Sequence, residues 1–226
     1  MYQKSSAQPV LPTLEDGMTL LRADRGATGA LHSLVLDHLL LEGGDAAWVD
    51  ANGNGTTQRL CRLAPNARIL DRVRIARGFT PWQHYGILAD LPEQVTDGTS
   101  LVVLPAFDWF YRASDLRRGE GERMLSEAVE RIARLLDEVA VPVLVTLSET
   151  DGLARPVVDA ASETLECELT EYGPRFSGES FETLVYPAGD GAVQTTISYW
   201  NRVLAARHPT PASAGRSPEV IPIGTN

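Results

Sequence analysis

Residues 122–145 read Glu122-Arg-Met-Leu-Ser-Glu-Ala-Val-Glu-Arg-Ile-Ala-Arg-Leu-Leu-Asp-Glu-Val-Ala-Val-Pro-Val-Leu-Val145, and their periodicity changes partway along. Up to Val139 the apolar positions Leu125, Ala128, Val129, Ile132, Leu135, Leu136 and Val139 fall three and four apart, the stripe of an amphipathic helix. From Val141 the run is continuously apolar and β-branched, the pattern of a strand buried on both faces. Upstream, Ser100-Leu-Val-Val-Leu104 is a second such run, bounded by Gly98 and Pro105. Strand, long helix, strand is the unit of a parallel sheet covered by helices on both faces, so this stretch predicts an α/β fold.

The N-terminal half repeats the alternation. After Gly17, Met18-Thr-Leu-Leu-Arg22 reads as a short buried strand, followed by the turn Asp24-Arg-Gly-Ala-Thr-Gly29. A helix follows, with Leu31, Leu34, Val35, His38 and Leu39 on one face, and Gly43-Gly44 ends it. Residues 46–50 form the next strand, 57–63 a short helix, and 73–76 a strand. Thr80 is placed to cap a further helix whose first position is Pro81.

The last third alternates in steps of two. Residues 164–170, 181–186 and 193–199 read as half-buried strands, the last two joined by the hairpin signal Gly189-Asp-Gly191. They predict an antiparallel extension of a mostly parallel central sheet. The organisation expected is a lead-in over 1–16, one core over 17–204, and a mobile proline-rich tail over 205–226 with Pro209, Pro211, Pro218 and Pro222.

Composition narrows the class of protein. The chain has 226 residues, 43% of them apolar, with formal net charge −10; mean hydropathy is −0.12. No apolar run approaches the roughly 18 residues of a membrane span, and the first residues lack the layout of a secretory signal, so a cytoplasmic protein without a membrane partner is expected. Cys61 and Cys167 are too few and too far apart for a disulfide framework or a zinc site. Lys4 is the sole lysine, so nearly every cation is arginine beside 30 carboxylates. That balance suggests a salt-adapted archaeal source, since carboxylates favour solubility and molar salt screens their mutual repulsion.

The strand–turn–helix at residues 20–41 stands where a phosphate-binding loop would open. Three further segments resemble the RecA/RadA recombinase core: Ala47-Trp-Val-Asp50 with Thr56-Thr-Gln-Arg-Leu60, Val73-Arg-Ile-Ala-Arg-Gly-Phe-Thr80 with Gln83-His84, and the stretch from Leu101 to Thr146. In order, spacing and residue class, residues 17–200 are similar to that family. The 16-residue lead-in is too short for its N-terminal helix-hairpin-helix module and lacks its Phe-x-x-Ala polymerisation motif. The resemblance implies a RecA-like core that binds ATP and magnesium and assembles on DNA.

The departures from the family pattern fall on its chemistry. A phosphate loop needs glycines for close backbone approach, a lysine for the terminal phosphates and a hydroxyl for Mg²⁺. With Gly29 as the second loop glycine, Asp24 stands at the first, Gly26 lies between them, Ala30 replaces the lysine and Leu31 the hydroxyl. The magnesium-organising aspartate is Pro105, the general base Asn52, the adenine-packing arginine Thr56, and the amide-bearing switch positions Leu147 and Ser148. Removing even one preorganised donor commonly costs roughly 10²–10³ in rate, so the expectation is a pseudo-ATPase with no catalytic residues, no cofactor and no metal.

The remaining candidates are weaker. Asp50 and Asp108 at strand ends suggest an acid pair but more readily cap turns, while His32 and His38 are not at metal-ligand spacing. His84 reads as packing, and Trp109, Phe110 and Tyr111 as filler at a strand end rather than a base-stacking platform. Arg112, Arg117, Arg118 and Arg123 fall in the segment resembling the first DNA-binding loop of recombinases, interleaved with Asp115, Glu120 and Glu122. Three functions follow. The first is a non-catalytic interaction or regulatory module in recombination or repair, binding a RecA/RadA-type ATPase or itself. The second is ATP-independent binding of single-stranded DNA, and the third a residual nucleotide-responsive ATPase.

Overall fold

The computed structural model describes residues 11–24, 27, 29–171, 173–179, 182 and 196–208. Among the described residues the sheet has seven strands. They are β1 (Gly17–Ala23), β2 (Asp45–Asp50), β3 (Val73–Arg77), β4 (Thr99–Leu104), β5 (Pro142–Val145), β6 (Glu163–Thr170) and β7 (Gly173–Ser177). They make one sheet in the order β3-β2-β4-β5-β1-β6-β7, parallel throughout except for the antiparallel pair β6–β7. The helices are α1 (Ala30–Glu42), α2 (Thr57–Leu63), α3 (Pro81–Gln94), α4 (Glu120–Glu138), α5 (Arg155–Ala160) and α6 (Thr196–Arg207).

The sheet separates two cores, because alternate strand side chains point to opposite faces. Leu21 of β1 joins the core beneath α1, α2 and α6, while Met18 and Leu20 join that beneath α3, α4 and α5. The predicted stripe of α4 packs as its spacing requires, with Leu125, Ala128, Val129, Ile132 and Leu135 buried. Thr80 caps α3 through its hydroxyl, which accepts from Gln83 N at 3.2 Å, with Pro81 in the first turn.

Helix α1 is buried beyond a single stripe: His32, Ser33, Asp37 and His38 are covered together with Leu34, Val35, Leu36 and Leu39. Helix α6 accounts for part of this. Arg207 reaches Asp37 with Nε at 2.8 Å from Oδ1 and a terminal nitrogen at 3.0 Å from Oδ2, and His208 Nε2 donates to Oδ1 at 2.7 Å. Trp200, fully buried, packs on Phe176 of β7 with ring centres 5.5 Å apart.

The mostly parallel α/β sheet with an antiparallel extension is as expected, but the extension is built differently. Among the described residues it is the β6–β7 hairpin; the hairpin expected through Gly189–Gly191 lies outside them. Of the strand expected over 181–186, Glu182 alone is described and forms an antiparallel bridge with Ser177. The strand expected over 193–199 is corrected: residues 196–199 open α6. Their alternation is local, whereas Trp200, Val203 and Leu204 recur at helical spacing and bury against α1 and β7. Helix α6 continues to Arg207, past the boundary drawn at 204, and residues 209–226 lie outside the description. In the lead-in, Leu11 and Leu14 are buried in the core on the α1 side.

Candidate functional site

All parallel strands deliver their C-terminal ends to one crest of the sheet. β1 and β5 are neighbours there, yet α1 after β1 packs on one face and α5 after β5 on the other. Such a reversal opens a crevice at the crest, where α/β proteins bind ligands. A cleft of about 440 Å³ occupies this place, lined by the β1–α1 turn, by Asn54 of the β2–α2 connection, by Arg59 of α2, and by residues 146–150 after β5.

The described residues of the β1–α1 turn bond to one another. Gly29 adopts φ 92°, a left-handed conformation that glycine tolerates, and a Cβ there would stand 3.1 Å from Trp200 Cδ1. Ala27 N donates to Asp24 O at 2.9 Å, Ala30 N to Ala27 O at 3.2 Å, and Ser33 N to Gly29 O at 2.8 Å. The N–H groups of Ala27 and Ala30 are therefore satisfied within the turn instead of facing the cleft. Asp24, Ala30 and Leu31 all line the cleft, whereas Gly26 lies outside the described residues. The charges around it are mixed: Asp24 and Glu149 bring carboxylates, Arg22 and Arg59 guanidinium groups, and Arg22 is held by Glu166 at 3.3 Å. His32, also in the lining, donates from Nε2 to Asn54 O at 2.9 Å, and burial keeps its pKa below the usual histidine value.

Asn52 and Pro105 stand at the exits of neighbouring strands. Asn52 sits in the turn after β2 with φ 57°, and Pro105 is buried directly after β4. Beyond Pro105, Ala106 holds φ 46°, secured by its N–H on Thr146 Oγ1 at 2.8 Å. Asp50 and Asp108, both fully buried, are turn clamps and do not form an acid pair. Asp50 accepts from Arg77 Nε at 2.7 Å, from Trp48 Nε1 at 3.3 Å and from Gly55 N. Asp108 accepts from Ser148 N at 2.6 Å, from Glu149 N at 3.3 Å and from Arg112 Nε.

The four arginines expected to face nucleic acid do not converge. Arg112 turns inward, with a side chain 17% exposed, and bridges Asp108 to Asp151, whose two carboxylate oxygens each lie 2.8 Å from a guanidinium nitrogen. These contacts raise the Arg112 pKa and hold Asp151 at about 2. Arg117 and Arg118 are exposed between α4 and the short 3-10 turn at Trp109–Arg112, and Arg123 in the first turn of α4 approaches Glu127 at 3.8 Å. Asp151 was not foreseen: the four-residue spacing of Asp108 and Arg112 is visible in sequence, but a partner 39 residues on is not.

Among the described residues no group of three histidine, cysteine, aspartate or glutamate side chains is arranged to hold a metal, and no helix is long and apolar enough to cross a membrane. Cys61 is exposed and Cys167 buried; both are free thiols, and burial pushes the Cys167 thiol up to about 12. A scan of protein-family models and a search of curated proteins found no match to the chain.

Proposed function

We propose that the chain is a RecA/RadA-like scaffold without nucleotide chemistry, acting as an interaction or regulatory module in DNA recombination or repair. The crest cleft carries this reading. Its helix entrance presents Ala30 and Leu31, its walls include the carboxylates of Asp24 and Glu149, and the chain's single lysine is Lys4. A triphosphate there would lack the lysine and hydroxyl of the phosphate-loop pattern, and the guanidinium groups of Arg22 and Arg59 are offset by the carboxylates of Asp24 and Glu149, with Arg22 already paired to Glu166.

The open edge of the sheet supports a protein partner. β3 pairs with β2 on one side and ends the sheet on the other, so its outer backbone groups can accept an added strand. Beside it runs a groove of about 220 Å³ lined by Ala76, Ile87 and Leu91, which suits an apolar side chain of an extended partner segment. A RecA-type ATPase or a second copy of the chain are the partners this reading implies, in the cytoplasm of a salt-adapted cell.

Calorimetric titration with ATP and Mg²⁺ tests the reading: no saturable heat and no phosphate release are expected, and the appearance of either refutes it. Sedimentation with a RecA-type ATPase tests the partner, with Ile75→Glu at the β3 edge expected to abolish association. The alternative, single-stranded DNA held by Arg117, Arg118 and Arg123, draws on their exposure but has lost Arg112 to an internal network. Unchanged DNA affinity in Arg117→Ala/Arg118→Ala removes it.

A further inference from the structure

Away from the cleft and the β3 groove, three large aromatic side chains stand in solvent on the same crest. Phe79 follows β3 and is 74% exposed, Trp82 in the first turn of α3 is 51% exposed, and Trp109 after β4 is 44% exposed. Apolar rings left in water on a chain with two well-filled cores mark a contact surface, and tryptophan is among the side chains that dominate interface energetics.

The turns that carry them are locked together from below. His84 is fully buried, and its Nδ1 shares a hydrogen bond of 2.9 Å with the Tyr111 hydroxyl. Its ring lies 5.9 Å from Phe107 and 5.5 Å from Phe110, so the start of α3 is wedged against the turn bearing Trp109. A surface held this way loses little freedom when a partner arrives.

Charge decides what the partner is. Residues 108–123 carry four arginines and four carboxylates, Arg77 beside Phe79 is paired with Asp50, and Glu149 and Asp151, joined to Arg112, add two carboxylates beside Trp109's turn. The rim is net acidic on a chain of net charge −10, which disfavours nucleic acid and favours cations. We propose that the rim formed by Phe79, Trp82 and Trp109 docks a basic protein segment, whose arginine or lysine side chains lie on the aromatic faces while the surrounding carboxylates hold their charge. This surface is distinct from the β3 edge and stands whether or not that edge takes a strand.

The test uses the full chain and a fluorescein-labelled twelve-residue peptide of alternating arginine and serine, read by fluorescence anisotropy. Saturable binding is expected, with none for the glutamine–serine analogue. Trp82→Ala/Trp109→Ala leaves the net charge at its present value, so non-specific attraction persists while the stacking is lost; affinity should fall about tenfold or more. Phe79→Ser, at the most exposed of the three, is the second variant should the double change disturb folding, and should weaken binding about threefold. Ile75→Glu should leave peptide binding within twofold, which separates this surface from the β3 edge. Equal affinity in the aromatic variants, no saturable binding, or tighter binding of a labelled thymidine oligonucleotide overturns the proposal.

Discussion

Replacing Arg112 by alanine removes the centre of the network that ties the exit of β4 to that of β5. Asp108 is fully buried and would keep only the amide N–H groups of Ser148 and Glu149. Breaking a buried ion pair by deleting one partner costs about 3–5 kcal/mol. Because Arg112 is partly reached by water and two amide donors remain, the low end applies, about 3 kcal/mol. Its bonds to the half-exposed Asp151 and the exposed Glu149 add little, as surface pairs do. For a domain of this size about 3 kcal/mol lowers Tm by roughly 6–12 °C. Urea unfolding followed by tryptophan fluorescence measures the loss, and hydrogen exchange should accelerate in residues 146–151, which line the cleft. The acid limb changes too. Arg112 holds Asp151 at about 2, below its unfolded value of roughly 4. Its contribution is therefore present above pH 4 and disappears as the pH falls from 4 through 2. That limb, small because Asp151 is half-exposed, should shrink in the variant, where the Leu153 and Ala154 N–H groups still hold the carboxylate. A loss below about 1 kcal/mol, with exchange in 146–151 unchanged, would refute the assignment of Arg112 to this structural role.

Two further outcomes follow from buried groups. Burial lowers the His84 pKa to about 4, so between pH 6.5 and 4 the unfolded chain takes up a proton the folded chain refuses. Stability should fall by roughly 3 kcal/mol across that window as the solution is acidified, and His84→Phe should flatten the slope in pH-stepped urea melts. Gly29→Ala places a Cβ on a left-handed residue and against Trp200. A cost of about 1–2 kcal/mol is expected from the backbone alone, visible in thermal melts, and a neutral result would mean the turn is not held as described.

Much of the fold was legible because continuous apolar runs punctuated by glycine and proline admit few alternatives. β1, β2, β4, β5 and the α4 stripe stand where the pattern put them. β7 escaped notice because Gly173-Pro-Arg-Phe-Ser177 has little alternation and begins with two residues that weaken strands. α6 was read as a strand up to Tyr199 because local alternation and β-branching there oppose a helix whose support comes from α1 and β7, far away in sequence. The site was less legible. Asp24, Ala30 and Leu31, which line the cleft, could be named from sequence, but the inward turn of Arg112 depends on Asp151, and the burial of Asp37 depends on Arg207 170 residues downstream. One-dimensional patterning reports the face a residue prefers, not the distant charge that claims it.

The Asp37–Arg207 clasp has a consequence for how the chain matures. During synthesis α1 emerges early, carrying a carboxylate that the finished molecule encloses, and its counterion is among the last residues of the described fold to leave the ribosome. Until then the surface of α1 that meets α6 has no cover, so the fold closes on this side only once the C-terminal helix has been made.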